Sequence, residues 1–183
     1  MFTSPTLPKA PIEEEAARTI TEPVASTRLT SDEVWQQIER SSFAVMAYVT
    51  ARGEPRSSGV VYGVAQRKLY VAVAPDGWKA RQLVTGQRVH VTVPVRKGGI
   101  LSLLFPIPPA TISFQAKVSV YPTGTLDLEA VSPDLKKLLP AERKAEACCL
   151  ELTPERTFVT FGIGVSLNDM RKPELSRAHV PVG

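Results

Sequence analysis

The chain has 183 residues, 43% hydrophobic and 22% charged, which suits one soluble globular domain and leaves too little for two. Its net charge of +4 comes from scattered Lys and Arg with no basic block, which argues against a nucleic-acid binder. The two cysteines are neighbours, Cys148 and Cys149, so no disulfide framework is available and a reducing compartment is expected.

Neighbouring residues of a strand face opposite ways, so this Cys pair reads as buried apolar filler. His90 and His179 are the only histidines, and no metal site is expected. The opening stretch MFTSPTLPKAPIEEEAARTI has no apolar leader core. The run GGILSLLFPIPPATI is broken by prolines and falls short of the ~20 residues that a spanning helix needs. A soluble, cytoplasmic protein with no membrane span is the expectation.

Residues 1–29 hold prolines, Glu13-Glu14-Glu15 and few bulky apolar groups, the composition of an arm. Thr30-Ser31-Asp32-Glu33 then matches a capping box, with Val34, Trp35 and Ile38 on one face of the helix it opens. From Phe43 the period changes to two. FAVMAYVT, RSSGVVYGVA and KLYVAVA read as three strands joined by the turns ARGEP and QRK. Pro75-Asp76-Gly77 breaks the third, and a helix is predicted over residues 78–85, with Gly86 as its C-cap glycine. RVHVTVPV is a fourth strand. A proline-rich segment, 97–110, precedes the fifth, TISFQAKVSVYP. Ser132-Pro133 opens a short helix, and ACCLELT and TFVTFGIGV are the last strand candidates.

Short turns between successive strands forbid parallel pairing. The fold class predicted is therefore mainly β with a few helices, an antiparallel barrel, closed or nearly so. The division expected is an arm at 1–29, one domain at 30–166 and a tail at 167–183.

The chemistry starts at Lys79. Lys79 and Arg81 stand at the positive end of a helix, where a cation is least welcome unless an anion arrives. Amides at a helix start offer such an anion ready donors. Arg56, Ser57 and Ser58 stand early in a strand expected to pair with the one ending at Ala74, and could reach the same anion. Either stretch alone would equally suit a solvated surface. Together they point to a phosphate, with Val60, Val61 and Val73 beside it for something flat.

The order of FAVMAYVTARGEPRSSGVVYGV, KLYVAVAPDGWKARQL, RVHVTV and ISFQAKVSV resembles the pyridoxamine 5'-phosphate oxidase-like family, the FMN-binding split barrels. The resemblance covers residues 31–165 and is most specific in GEPR followed by KARQL. It implies a split barrel, a homodimer and FMN in the subunit interface. By position it implies that Lys79 holds the flavin phosphate with Ser58 and Arg56, flanked by Trp78 and Ala80. Ser57, Val60 and Val61 would lie along the ribityl chain and ring, many through their backbone, with Val73 and Ala74 on the neighbouring strand.

Departures limit what carries over. The oxidases have a basic residue before the lysine where this chain has Trp78. Pro108, Pro109 and Ala110 stand where their arginine and glutamine would be, and Arg177 and His179 read as tail. Oxidation of pyridoxamine phosphate is therefore not expected. The function implied is a flavin-dependent oxidoreductase acting on another organic molecule. The alternatives are a deazaflavin coenzyme in the same groove, or a flavin-binding or storage protein without turnover. Ile100, Leu101, Leu103, Leu104, Phe105 and Ile107 would build either the dimer interface or a wall favouring a bulky apolar substrate.

Overall fold

A hydroxyl and a carboxylate three residues apart start the first element. In the computed structural model, which describes residues 29–96, 109–127, 131 and 147–183, helix α1 (Ser31–Arg40) follows Thr30. The Glu33 amide donates to Thr30 Oγ1 at 3.3 Å and the Thr30 amide to Glu33 Oε2 at 2.8 Å. Both halves of the capping box are therefore made, and they hold the Glu33 carboxyl below its usual pKa. Val34, Trp35 and Ile38 are buried on the barrel, where Trp35 meets Phe158 edge-on at 5.5 Å.

Eight strands follow: β1 (Phe43–Val49), β2 (Pro55–Val61), β3 (Gly63–Ala65), β4 (Lys68–Val73), β5 (Arg88–Val95), β6 (Ala110–Tyr121), β7 (Cys148–Phe161) and β8 (Arg177–Pro181). Two short helices, α2 (Trp78–Gln82) and α3 (Pro173–Ser176), and a 3-10 turn at Asp169–Arg171 complete the described elements. The strands run in the order β2-β1-β5-β6-β7-β4-β3, with β8 on β7, and all the pairings are antiparallel.

The two ends of that order are almost one strand, because only Tyr62 separates β2 from β3. The first part pairs with β1, Phe43 opposite Val61, and the second with β4, Gly63 opposite Tyr70. The sheet thus curls into a barrel, split where the strand changes partners. Tyr62 is buried at this corner, and its hydroxyl donates to the Ile38 carbonyl at 2.8 Å, tying α1 to it. Alternation fills the inside: Ala44, Met46 and Tyr48 from β1, and Val89, Val91, Val93 and Val95 from β5.

Several elements differ from the sequence reading. RSSGVVYGVA is divided at Tyr62, so β2 pairs with β1 and not with the strand ending at Ala74. ACCLELT and TFVTFGIGV belong to one strand, β7, because a bulge takes the place of a turn. Ser113 faces Val159 while Gln115 faces Glu155, and Arg156 takes a φ of 61° to absorb the extra residues. The helix after Gly77 ends at Gln82, since buried Leu83 leaves the helical conformation as its C-cap. Gly86 lies beyond it at a φ of 92° and donates to the Val118 carbonyl at 2.8 Å. Cys148 and Cys149 are both buried and free.

The expected tail also contributes structure. Arg177 and His179 lie on β8, paired with Phe161 and Val159, and Val180 is buried. Ser31 Oγ donates to the Val182 carbonyl at 2.6 Å and Trp35 Nε1 to the same oxygen at 3.4 Å. The expectations for 1–28, for 97–108 and for a helix at Ser132-Pro133 lie outside the described residues.

Removal of residues 177–183 checks the place of β8. Loss of one buried valine (~1.5–3 kcal/mol) and of ladder bonds at ~0.5–1.5 kcal/mol each should lower the thermal midpoint by about 10 °C or prevent folding. A midpoint within ~2 °C of the intact chain would return these residues to the status of a tail.

Candidate functional site

Because β2 and β4 do not pair, the outer edge of β2 has no partner strand among the described residues and stands beside the chain that leaves β4. That chain turns at Ala74–Gly77, the Gly77 amide donating to the Ala74 carbonyl at 2.9 Å. A Cβ on Gly77 would lie 2.8 Å from that oxygen, so the turn requires glycine by close approach. It delivers α2 to the split with Lys79 in its first turn. Lys79 Nζ donates to the Gly59 carbonyl of β2 at 3.1 Å, a side chain in the place of a missing strand. Lys79 is half-buried, and this burial lowers its pKa.

The pairing register sorts the β2 side chains. Arg56, Ser58 and Val60 stand opposite Tyr48, Met46 and Ala44, whose side chains are buried, so they share the inner parity. Ser57, Gly59 and Val61 stand opposite Ala47, Val45 and Phe43 on the outer face. Ser58 Oγ is buried and has no hydrogen-bond partner among the described residues. An unsatisfied buried hydroxyl costs ~1–3 kcal/mol, and a ligand acceptor would recover it. Arg56 is exposed and pairs with Glu54 at 2.9 Å. α2 itself has only five residues, so its dipole adds little. The side chains of Lys79 and Ser58 carry the anion argument.

On this outer face Ser57 and Val61 were expected site residues, whereas Phe43 was not read from the sequence as part of the site. The Phe43 ring lies on Gly59, where a Cβ would come within 2.8 Å of the ring. Phe43 is 46% exposed and Val61 43%, beside exposed Val45 and Val49. A signal existed: FAVMAYV is apolar at both parities, which a strand with one wet face does not need.

No family model and no curated protein matches this chain. Solved structures do. It is similar to a heme binding protein from Mycobacterium smegmatis at 15% identity and a TM-score of 0.60, over 85% of this chain and 59% of that one. HutZ, the heme storage protein from Vibrio cholerae, aligns at 17% identity and 0.56 over 73% and 95%. An FAD-binding protein from Mesorhizobium loti aligns at 16% and 0.53 over 71% and 93%. The fold is the antiparallel split barrel that these proteins share.

Within the split barrel the expected site residues separate into groups. Arg56, Ser58 and Lys79 come to the split from two elements. Val60 and Val73 are 4% and 8% exposed and belong to the core, so only their backbone could meet a ligand. Ala74 and Ala80 are half-buried around the turn, while Ser57 and Val61 look outward from β2. Trp78 opens α2, and its side chain lies outside what is described. Among the described residues no group of three or more His, Cys, Asp or Glu could hold a metal ion, and no helix is long and apolar enough to cross a membrane.

Ser58→Ala separates a ligand role from a packing role. Removing an unsatisfied hydroxyl should raise the stability of the ligand-free protein by ~1 kcal/mol, or ~2–4 °C in midpoint. A drop of similar size would show that the hydroxyl already has a structural partner.

Proposed function

We propose that the split binds FMN and that the protein is a homodimeric flavin-dependent oxidoreductase acting on an organic substrate other than pyridoxamine phosphate. The observation that carries this reading is Lys79, held at the Gly59 carbonyl next to the unpartnered Ser58 hydroxyl. The two offer a cation and a neutral donor to one phosphate, with Arg56 on the same face of β2 able to leave its exposed Glu54 pair and join them. The residues present fit a flavin phosphate in charge and in donors. Backbone groups of Val60, Val73 and Ala74 would border the ribityl chain. Outward-facing Ser57 and Val61, with Phe43, would present a flat surface to the ring.

When bound, the flavin supplies hydride or electron transfer, and the protein's part is to place it and exclude water. Exposed Val45 and Val49 give the outer face of β1 a reason to meet a second copy, which would close the cofactor groove. Two buried, free cysteines suit a cytoplasmic setting. A deazaflavin coenzyme would use the same phosphate donors. A binding or storage role without turnover is the second reading, favoured by similarity to proteins named for heme binding and heme storage. The absorbance spectrum of purified protein distinguishes flavin, deazaflavin and heme, and reduction of bound flavin by a nicotinamide donor distinguishes turnover from storage.

Lys79→Ala tests the phosphate grip. Loss of one charge-assisted bond of ~1.5–3 kcal/mol should weaken FMN by roughly 10–150-fold. Riboflavin, which lacks the phosphate, should bind the variant almost as it binds the parent. Equal losses for the two would place Lys79 at the ring and remove the assignment. For assembly, light scattering at micromolar concentration should give twice the chain mass, and Val45→Glu should give monomer. A parent chain that stays monomeric would sink the interface reading.

A further inference from the structure

Phe43 has two neighbourhoods. One side of its ring rests on Gly59, the residue whose carbonyl Lys79 holds. It also forms a wall of an open pocket of about 810 Å³ between the end of α1 and the end of β5. This pocket is lined by Gln37, Arg40, Ser41, Ser42, Phe43, Pro94, Val95, Arg96 and Pro109. It contains two guanidinium groups and no carboxylate. Among the described residues neither Arg40 nor Arg96 has an ion-pair partner.

The two arginines come from different elements, the last residue of α1 and the residue after β5, and the fold alone brings them to one concavity. Like charges facing one concave surface are a net cost that an arriving anion removes. Guanidinium groups also match the planar fork of a carboxylate or the oxygens of a phosphate. The Ser42 hydroxyl and the Gln37 amide add neutral donors at the same wall, whereas Ser41 Oγ is occupied by the Gln37 carbonyl at 3.1 Å. Phe43 and Pro94 add flat apolar surface.

We infer that this pocket binds a planar organic anion, its carboxylate or phosphate on Arg40 and Arg96 and its ring on Phe43. The binding of such an anion stands by itself. Its use as the substrate of a cofactor held by Lys79, across Phe43 and Gly59, rests on the reading given above. A polar, cationic pocket also changes the substrate class expected from the apolar segment at 100–107, from bulky and apolar to anionic and flat.

Calorimetric titration of the full chain with benzoate, phenyl phosphate and neutral benzyl alcohol tests it. At least one anion should bind, and the tighter of the two tells carboxylate from phosphate. In Arg40→Gln/Arg96→Gln that anion should lose at least about tenfold in affinity, equivalent to 1.4 kcal/mol. Benzyl alcohol should be unaffected. Arg40→Lys/Arg96→Lys should recover part of the loss, since a point charge remains. Both arginines are exposed, so the variants should keep the parent's thermal midpoint. Absence of anion binding to the parent, or equal affinity in parent and Gln variant, overturns the inference. Anion binding by a parent that takes no FMN would sink the cofactor reading and leave the pocket standing.

Discussion

Everything in this molecule follows from one strand serving two partners. Residues 55–65 run as a nearly continuous extended segment, paired to β1 before Tyr62 and to β4 after it. A strand has only two edges, so changing partners leaves one edge of each half without a ladder. Buried backbone groups at such an edge need other acceptors and donors. Lys79 meets part of that need at Gly59, and the Tyr62 hydroxyl fixes the corner by its bond to α1. The split is thus the place where the sheet's hydrogen bonding is incomplete, and a ligand with acceptors is suited to complete it.

The same place carries the local violations expected of a site. Ser58 keeps a buried hydroxyl with nothing to bond. Lys79 is partly withdrawn from water, which lowers its pKa and leaves the ammonium less well solvated than on an open surface. A matched polar cluster stands between β4 and β7. Buried Glu151 on β7 accepts from Lys68 Nζ and from Tyr70 Oη, each at 3.1 Å. Tyr70 is pushed up to about 12, by burial first and by the carboxylate second. That closure between β4 and β7 contrasts with the open account at the split.

The outer face of β1 and β2 joins the two concave regions. Gly59 lets Phe43 lie flat against β2, and from there the ring borders the arginine pocket. Any side chain at residue 59 would lift the ring and separate the two. A small residue at one register position therefore controls whether the split and the arginine-lined pocket are neighbours. The three cations Lys79, Arg40 and Arg96, the Ser58 hydroxyl and the Phe43 ring come from α2, α1, the end of β5, β2 and β1.

By itself the sequence determined the local structure and the chemical inventory. Period-two alternation in FAVMAYV and RVHVTVPV specified strands and their buried sides, and Thr30 with Glu33 specified the start of α1, because these depend on residues close in the chain. Lys79 and Ser58 were read as a candidate anion pair through residue type and a resembling order of motifs. Tertiary structure alone decided the rest. It divided RSSGVVYGVA at Tyr62, put a bulge at Arg156–Phe158 inside one continuous strand, and gave β8 to residues read as tail. It buried Val60 and Val73, which flat-ligand reasoning had placed at a surface. It also set Arg40 and Arg96 on one pocket although 55 positions separate them. Each of these is fixed by which strand lies alongside which, a long-range register that no window of neighbouring residues contains.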